Sequence, residues 1–275
     1  MPELPEVETV RRGLHAPMLH KEVVEVIFFQ TKLRNIVDVE KIKGAIEGQK
    51  VCSIERRAKY LLFHFTGQHT LIIHLGMSGS LRIITDVRPR EKHEHAIFKI
   101  NELGELRFRD PRRFGYIDTV ATSELSRYPR LENLGFEPLG ETVSGKILAQ
   151  KASRLKSPVK NVIMNAGFIA GIGNIYASEA LFFAKIYPLS PASKLSEQQW
   201  TELLEAIQLV LRRAIDAGGT TLNDFINSDG DRGYFQLELA TYGRSGLPCV
   251  KCSQAIVKIM TAGRSTFYCP NCQPQ

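Results

Sequence analysis

Between residues 22 and 120 the apolar positions fall in short runs, many of them alternating with polar ones: EVVEVIFFQ, KVCSIERR, KYLLFHF, TLIIHL, GSLRII, HAIFKI, ELRFRD and FGYIDTV. Runs of that length, bounded by Gly, Asp, Asn or Pro, predict the strands of an antiparallel sandwich or barrel. The pattern changes on either side of this region. Before it, Val7, Val10 and Leu14 recur at helical spacing, behind Pro2 and Pro5 and the acids Glu3, Glu6 and Glu8, which suit the first turns of a helix. After it, RYPRLENLGFEPLG (127–140) is punctuated by Pro and Gly without sustained periodicity, as a linker would be. From about 144 to 230 the spacing is helical, most clearly in SEQQWTELLEAIQLVLRRAIDAGG, where Ser196 suits an N-cap and Gly218 a C′ stop. The last thirty residues return to short strand-like pieces around cysteines. The expected organisation is α+β with two domains: a helix-and-strand region over 1–130, a linker over 131–143, a helical region over 144–238 and a cysteine-bearing end over 239–275.

Composition narrows the class. At 275 residues the chain can bury two proper cores, and 43% hydrophobic with 24% charged residues is ordinary globular composition, so disorder is not expected to dominate. No apolar stretch reaches eighteen residues, and the N-terminus carries acids where a secretory signal would need basic residues before an apolar run, so a soluble cytosolic protein is expected. Lys and Arg outnumber Asp and Glu by 36 to 29, a net charge of +7, and the pI is near 9.2. A polyanionic partner suits that balance. After Glu238 no acid occurs while Arg244, Lys251, Lys258 and Arg264 do, and Lys151, Arg154, Lys156 and Lys160 share another acid-free stretch. Nucleic acid is favoured over membrane, because none of these runs sits beside a strongly amphipathic, aromatic-bearing helix. A merely solvated basic surface is the competing explanation.

Cys249, Cys252, Cys269 and Cys272 form C-x2-C, a sixteen-residue spacer and C-x2-C again. Two such knuckles place four thiolates tetrahedrally around zinc, whereas two disulfides fit poorly with a reducing compartment. Cys52 stands alone in a predicted strand and reads as core. A tail this short cannot fold on its own apolar area, so the metal must supply the folding energy. Between the knuckles IVKIM and STFYC are joined by TAGR, which puts Thr261 to Arg264 at a hairpin tip. There Arg264 could grip a phosphate, or simply be solvated.

Other stretches carry chemistry as well. NAGFIAGIGNIYASEALFF (165–183) has no preceding strand and lacks the G-x-G-x-x-G spacing of a dinucleotide site; it suits a tight turn between two helices. Asn174 would then open the second helix, where backbone amides and its side chain could hold a phosphate, although simple helix-hairpin packing is equally open. HLGMSGS (74–80) and RDPRRFGY (109–116) place Met77, Arg112 and Phe114 on loops. Apolar side chains can enter a base stack while a guanidinium pairs with an orphaned base, though singly such residues are often core fillers. Lys59 leads directly into an apolar strand, where partial burial would make it a candidate acid or base; an exposed strand-end Lys is the alternative. Finally, a small or cyclic residue after the initiator ordinarily leads to its removal, leaving the secondary amine of Pro2 at a helix start. An α-amino group titrates at roughly 7.7–8.0, and the positive helix end lowers it further, so part of it is neutral at physiological pH. Such an amine can condense with a sugar aldehyde carbon to give an iminium, an electron sink for elimination, with Glu3 beside it to carry the proton.

MPELPEVET, RRAKYLL, HLGMSG, DPRRFG, the IGNIYASE segment, GGTT-LNDF and the terminal GRSTFYCPNCQ together resemble the bacterial formamidopyrimidine-DNA glycosylases, collinearly from residue 2 to the cysteine-rich end. The resemblance implies an N-terminal helix plus β-sandwich, then a helix-two-turns-helix domain with a zinc-finger hairpin. It implies a monomeric base-excision-repair enzyme of the bacterial cytosol, nucleoid-associated through its substrate: duplex DNA carrying oxidised purines (formamidopyrimidines, 8-oxoguanine) or abasic sites. By the same resemblance Pro2 is the Schiff-base nucleophile, Glu3 the proton donor and acceptor, Lys59 the acid or base for β-elimination, and Arg264 the residue assisting δ-elimination and binding phosphate. Glu6, with part of the loop around 219–230, would line the lesion pocket; Met77, Arg112 and Phe114 would fill the gap left by the flipped base, Arg112 pairing with the orphan cytosine. His93, Lys156 and Asn174 match DNA-contacting positions, and Cys249, Cys252, Cys269 and Cys272 the ligands of one structural zinc. The sister family, endonuclease VIII, acts on oxidised pyrimidines, typically opens with Gly in place of Leu4 and lacks the Met, Arg, Phe set.

Overall fold

Eight apolar runs become eight strands in the computed structural model, which describes residues 2–86, 88–140, 142–219 and 239–275. They are β1 Val23–Phe28, β2 Val51–Arg57, β3 Tyr60–Phe65, β4 His69–His74, β5 Ser80–Ile84, β6 Glu94–Ile100, β7 Gly104–Arg109 and β8 Tyr116–Ala121. Two four-stranded antiparallel sheets result, in the orders β1-β6-β7-β5 and β2-β3-β4-β8. The inward positions of both sheets, among them Val26, Ile54, Phe63, Leu71, Ile73, Phe98, Phe108 and Ile117, share one apolar cluster with Val7, Val10 and Leu14 of the opening helix α1, Leu4–Met18. Not every strand alternates: β4 is buried continuously over Thr70–Ile73 and β6 over Glu94–Phe98, so these strands are covered on both faces.

Two features of this unit depart from the expectation. A second helix, α2 (Val39–Ile46), interrupts the strand region; Asp38 caps it by accepting from the Lys41 amide at 3.1 Å, and Ile42, Ala45 and Ile46 are buried. Cys52 is exposed rather than core, because the β2 ladder shifts register between Val51 and Ser53 and turns the intervening side chain outward.

The chain divides into two compact units, one running to Asn133 and including Ile215 to Gly219, the other covering Leu134–Ala214 and, among the described residues, 239–275. The second contains α3 (Gly145–Ala152), α4 (Val159–Ile163), α5 (Asn174–Phe183) and most of α6 (Glu197–Asp216). Ser196 and Gln199 cap α6 reciprocally, side chain to amide at 3.2 and 2.9 Å, and Gly218 closes it at φ +76°. Trp200, fully buried, stacks at a tilt against Phe168. The cysteine-rich end is a hairpin of β9 (Val257–Thr261) and β10 (Arg264–Tyr268), joined by Ala262 and Gly263, both at positive φ. It docks on α5 through a cluster of Phe182, Ala240, Ile256, Phe267 and the buried Cys249 and Cys269. Among the described residues no helix is long and apolar enough to cross a membrane.

Candidate active site and metal centre

The N-terminal end of α1 is held from inside. Glu3 and Glu6 are each only 2% exposed, and they cap one another: the Glu3 amide donates to Glu6 Oε2 at 2.7 Å while the Glu3 carboxylate accepts from the Glu6 amide. Pro2, also buried, is therefore attached to a fixed point. Gly219 stands against this end with φ +87°, and a Cβ there would lie 3.3 Å from Glu6 Cγ, so the start of the 219–230 segment borders Glu6. The rest of that segment, and Met1, lie outside the described residues.

Lys59 occupies the second position of the two-residue loop joining β2 to β3, after Ala58, which is 2% exposed and left-handed at φ +53°. Lys59 is half-buried. Tyr60, the first residue of β3, pairs with His74 and stacks on its ring at 4.8 Å. Burial, then the charges of Lys59, Arg34 and Arg130, push the His74 pKa down to about 3. The ring is thus neutral at ordinary pH, and its Nδ1 accepts from the Gly76 amide at 2.9 Å, which places the proton on Nε2. His74 was not singled out from the sequence, where one histidine beside a glycine loop carries no distinctive signal.

The two loops bearing Met77, Arg112 and Phe114 are one structure. Gly76, at φ +67°, approaches the backbone of the other loop so closely that a Cβ would sit 2.4 Å from the Phe114 carbonyl carbon. Asp110, fully buried, ties them: Oδ1 accepts from Ser78 Oγ at 2.7 Å and the Arg112 amide at 3.3 Å, and Oδ2 from the Gly115 amide at 2.7 Å. Its own amide donates to the His93 carbonyl at 3.0 Å, and its carbonyl contacts His95 Nε2 at 2.8 Å. Phe114 is 43% exposed with the Arg112 guanidinium 5.1 Å from its ring centroid, and Met77 is half-buried, so neither Phe114 nor Met77 is a core filler. His93 is left-handed at φ +70°; partial desolvation, then Lys92 and Arg109, depress its pKa. Its loop is anchored by Arg107, 4% exposed, which pairs with Glu94 and Glu105 and donates to the carbonyls of Arg88 and Pro89.

In the second unit, Asn174 is the first residue of α5, and its side chain is engaged at both ends: Oδ1 accepts from Lys160 Nζ at 2.7 Å and Nδ2 donates to the Ser265 carbonyl at 2.9 Å. Lys160 is not part of a basic surface, as its acid-free stretch suggested. It is 1% exposed and also donates to Ser265 O and Thr266 Oγ1, at 3.1 and 2.8 Å. These bonds bring Asn174 beside the start of β10, where Arg264 is exposed at the first paired position after the tip. Lys156 is exposed between α3 and α4. Glu179, 1% exposed, receives the amides of Ala240, Thr241 and Tyr242 at 2.7 to 2.9 Å and so fixes the entry to the zinc ribbon.

The four cysteine sulfurs lie within 4.8 Å of one another, with separations of 3.4 Å for Cys252 and Cys269 and 3.9 Å for Cys249 and Cys272. Tetrahedral zinc with bonds of about 2.3 Å requires sulfur separations of roughly 3.8 Å. Burial and neighbouring thiols push Cys272 up to about 12 and raise Cys269, while hydrogen bonds from Asn271 and Gln254 bring Cys252 down to about 6, so holding Cys269 and Cys272 as thiolates beside it requires a cation. The cluster suits one structural zinc.

Comparison with known proteins adds the following. Residues 1–117 match the formamidopyrimidine-DNA glycosylase N-terminal domain, 134–226 the formamidopyrimidine-DNA glycosylase H2TH domain, and 246–275 the zinc finger found in FPG and IleRS. Formamidopyrimidine-DNA glycosylase of Hahella chejuensis is 42% identical, over 99% of this chain and 100% of the relative. The Lactococcus lactis FPG (MutM) in complex with FAPY-dG-containing DNA is similar at a TM-score of 0.91 and 34% identity, covering 99% of this chain and 100% of that one. The Lactococcus lactis Fpg with DNA containing an abasic site gives 0.92 at the same identity and coverage.

Proposed function

The chain belongs to the formamidopyrimidine-DNA glycosylase family, and from that premise we propose that Pro2 is its nucleophile, Glu3 its proton carrier and Lys59 the acid or base of β-elimination. It is a bifunctional DNA glycosylase and AP lyase of base excision repair, acting on oxidised purines in duplex DNA, with one structural zinc on Cys249, Cys252, Cys269 and Cys272. We place it, as a monomer, in the bacterial cytoplasm at the nucleoid.

The glycosidic carbon is shielded from an amine inside the base stack, so the damaged nucleotide must leave the helix at a cost of a few kcal/mol. Met77, Arg112 and Phe114, set by one buried carboxylate, offset that cost by filling the vacated stack, Arg112 facing the orphan cytosine. Glu6, with Gly219 beside it, lines the pocket for the extruded purine. Once the initiator is removed, the Pro2 amine attacks C1′, the base departs with a proton handled by Glu3, and the sugar opens to an iminium. Loss of the C2′ proton then expels the 3′ phosphate, and a second elimination, assisted by Arg264, expels the 5′ phosphate. His93, Lys156, Asn174 and Arg264 grip the backbone. The observation that carries this reading is the reciprocal Glu3–Glu6 cap, which buries two carboxylates to hold residue 2 in place.

Excision should be faster from 8-oxoguanine:cytosine than from thymine glycol duplexes, and borohydride present during the reaction should leave a covalent protein–DNA adduct. A preference for the pyrimidine lesion would overturn the substrate assignment. Absence of the adduct would reduce the protein to a binder.

A further inference from the structure

Glu8 is an acid that the chemistry above does not use. Though buried, its carboxylate receives three guanidiniums: Arg11 through Nε at 3.1 and 3.2 Å and Nη2 at 2.8 Å, Arg12 through Nε at 3.1 Å, and Arg56 through Nε at 3.1 Å. Burial opposes its ionisation, but Arg11 and then Arg56 outweigh that and hold its pKa below the usual carboxylate range. Two of the guanidiniums reach onward to backbone. Arg11 Nη1 donates to the Ile54 carbonyl of β2 at 3.3 Å, and Arg56 Nη1 donates to the Ala58 carbonyl at 3.1 Å. The Ala58 carbonyl belongs to the peptide that continues directly into Lys59. A left-handed alanine is held in that conformation by its surroundings, and this bond is one of the contacts that set where Lys59 leaves the hairpin.

We propose that Glu8 and Arg56 are positioning residues that fix the Lys59 hairpin to the helix bearing Pro2 and Glu3. The proposal rests on the roles assigned above to Pro2 and Lys59. One side chain must bridge a carboxylate and a carbonyl at once, which the planar guanidinium fork does and a single ammonium does not. Arg56→Lys therefore keeps the charge opposite Glu8 and gives up the hold on Ala58. A reacting group loosened by about 1 Å costs on the order of 10²-fold in its own step. Iminium formation needs Pro2 and Glu3 but not Lys59, so the two halves of the reaction should separate.

The test uses the full-length protein and a duplex already containing an abasic site. Two rates are compared for the wild type, Arg56→Lys, Glu8→Gln and Arg11→Lys: formation of the borohydride-trapped adduct, and strand nicking without borohydride. Thermal melting of each variant identifies those that fold. Arg56→Lys and Glu8→Gln should trap within about threefold of the wild type and nick more slowly by about tenfold or more, while Arg11→Lys, which does not touch Ala58, keeps the wild-type ratio of nicking to trapping. Should Arg56→Lys fail to fold, Glu8→Gln, which is isosteric, carries the comparison. Trapping and nicking that fall together, nicking that is unaffected in folded variants, or an equal change of ratio in Arg11→Lys each overturns the proposal. A wild-type protein that nicks without ever being trapped would instead overturn the role of Pro2.

Discussion

His74 shows how far one side chain's surroundings can reach. Its folded pKa of about 3 lies below the ordinary 6.5, so between those values the unfolded chain takes up a proton that the folded chain refuses. The stability it contributes is complete above 6.5 and is lost as pH falls toward 3. Melting temperature should decline as pH is lowered from about 7 to 4, and His74→Asn, which offers an acceptor to the Gly76 amide but does not titrate, should flatten that decline. A variant with the wild-type slope would contradict the assignment. At this scale the sequence was legible wherever a residue's type implied its environment, as for Val7, Val10 and Leu14, all fully buried. It misled where type and environment part: Lys160 looks like any cation in a basic stretch yet sits inside, and Cys52 looks apolar yet is turned outward by a bulge. No local pattern distinguishes those cases, because both depend on partners remote in sequence.

Elements were easier to read than residues. All eight strands of the sandwich were visible because each is a short, largely apolar run bounded by turn residues, and the cap and stop of α6 fell at Ser196 and Gly218. Helix α2 was missed within a region read as strands, although Asp38 and the spacing of Ile42, Ala45 and Ile46 carried its signal. Pairing of loops was not legible at all: that Asp110 would join the Met77 and Phe114 loops needs the two sheets to be assembled first. The ribbon of β9 and β10 gives the clearest test at this scale. Its apolar cluster is small and two of its members are zinc ligands, and structural zinc in such units is worth about 10–16 kcal/mol of folding energy. Stripping the metal with a strong chelator should open residues 239–275 to limited proteolysis and abolish duplex binding, both restored by added zinc. A ribbon that stays resistant after metal removal would show that its apolar contacts suffice.

At the scale of the molecule, the excess of basic residues and the collinear order of motifs point to DNA and to a family, and the family match along the three matched segments agrees. What the order of motifs could not supply was the hardware beneath them: the Glu8–Arg56 tie behind the opening helix, the buried Lys160 behind Asn174 and the Asp110 junction between the Met77 and Phe114 loops. Glu8, Lys160 and Asp110 are buried, and each of these groups holds a segment that carries a proposed site residue. The central claim is that the α-amino nitrogen of Pro2 is the atom that captures deoxyribose. The most direct measurement is to reduce the protein on an 8-oxoguanine duplex with borohydride, digest the adduct and locate the sugar remnant by mass spectrometry. The remnant should lie on a peptide beginning at Pro2, with methionine absent; a remnant on a lysine, or nicking by protein that retains Met1, would contradict the account.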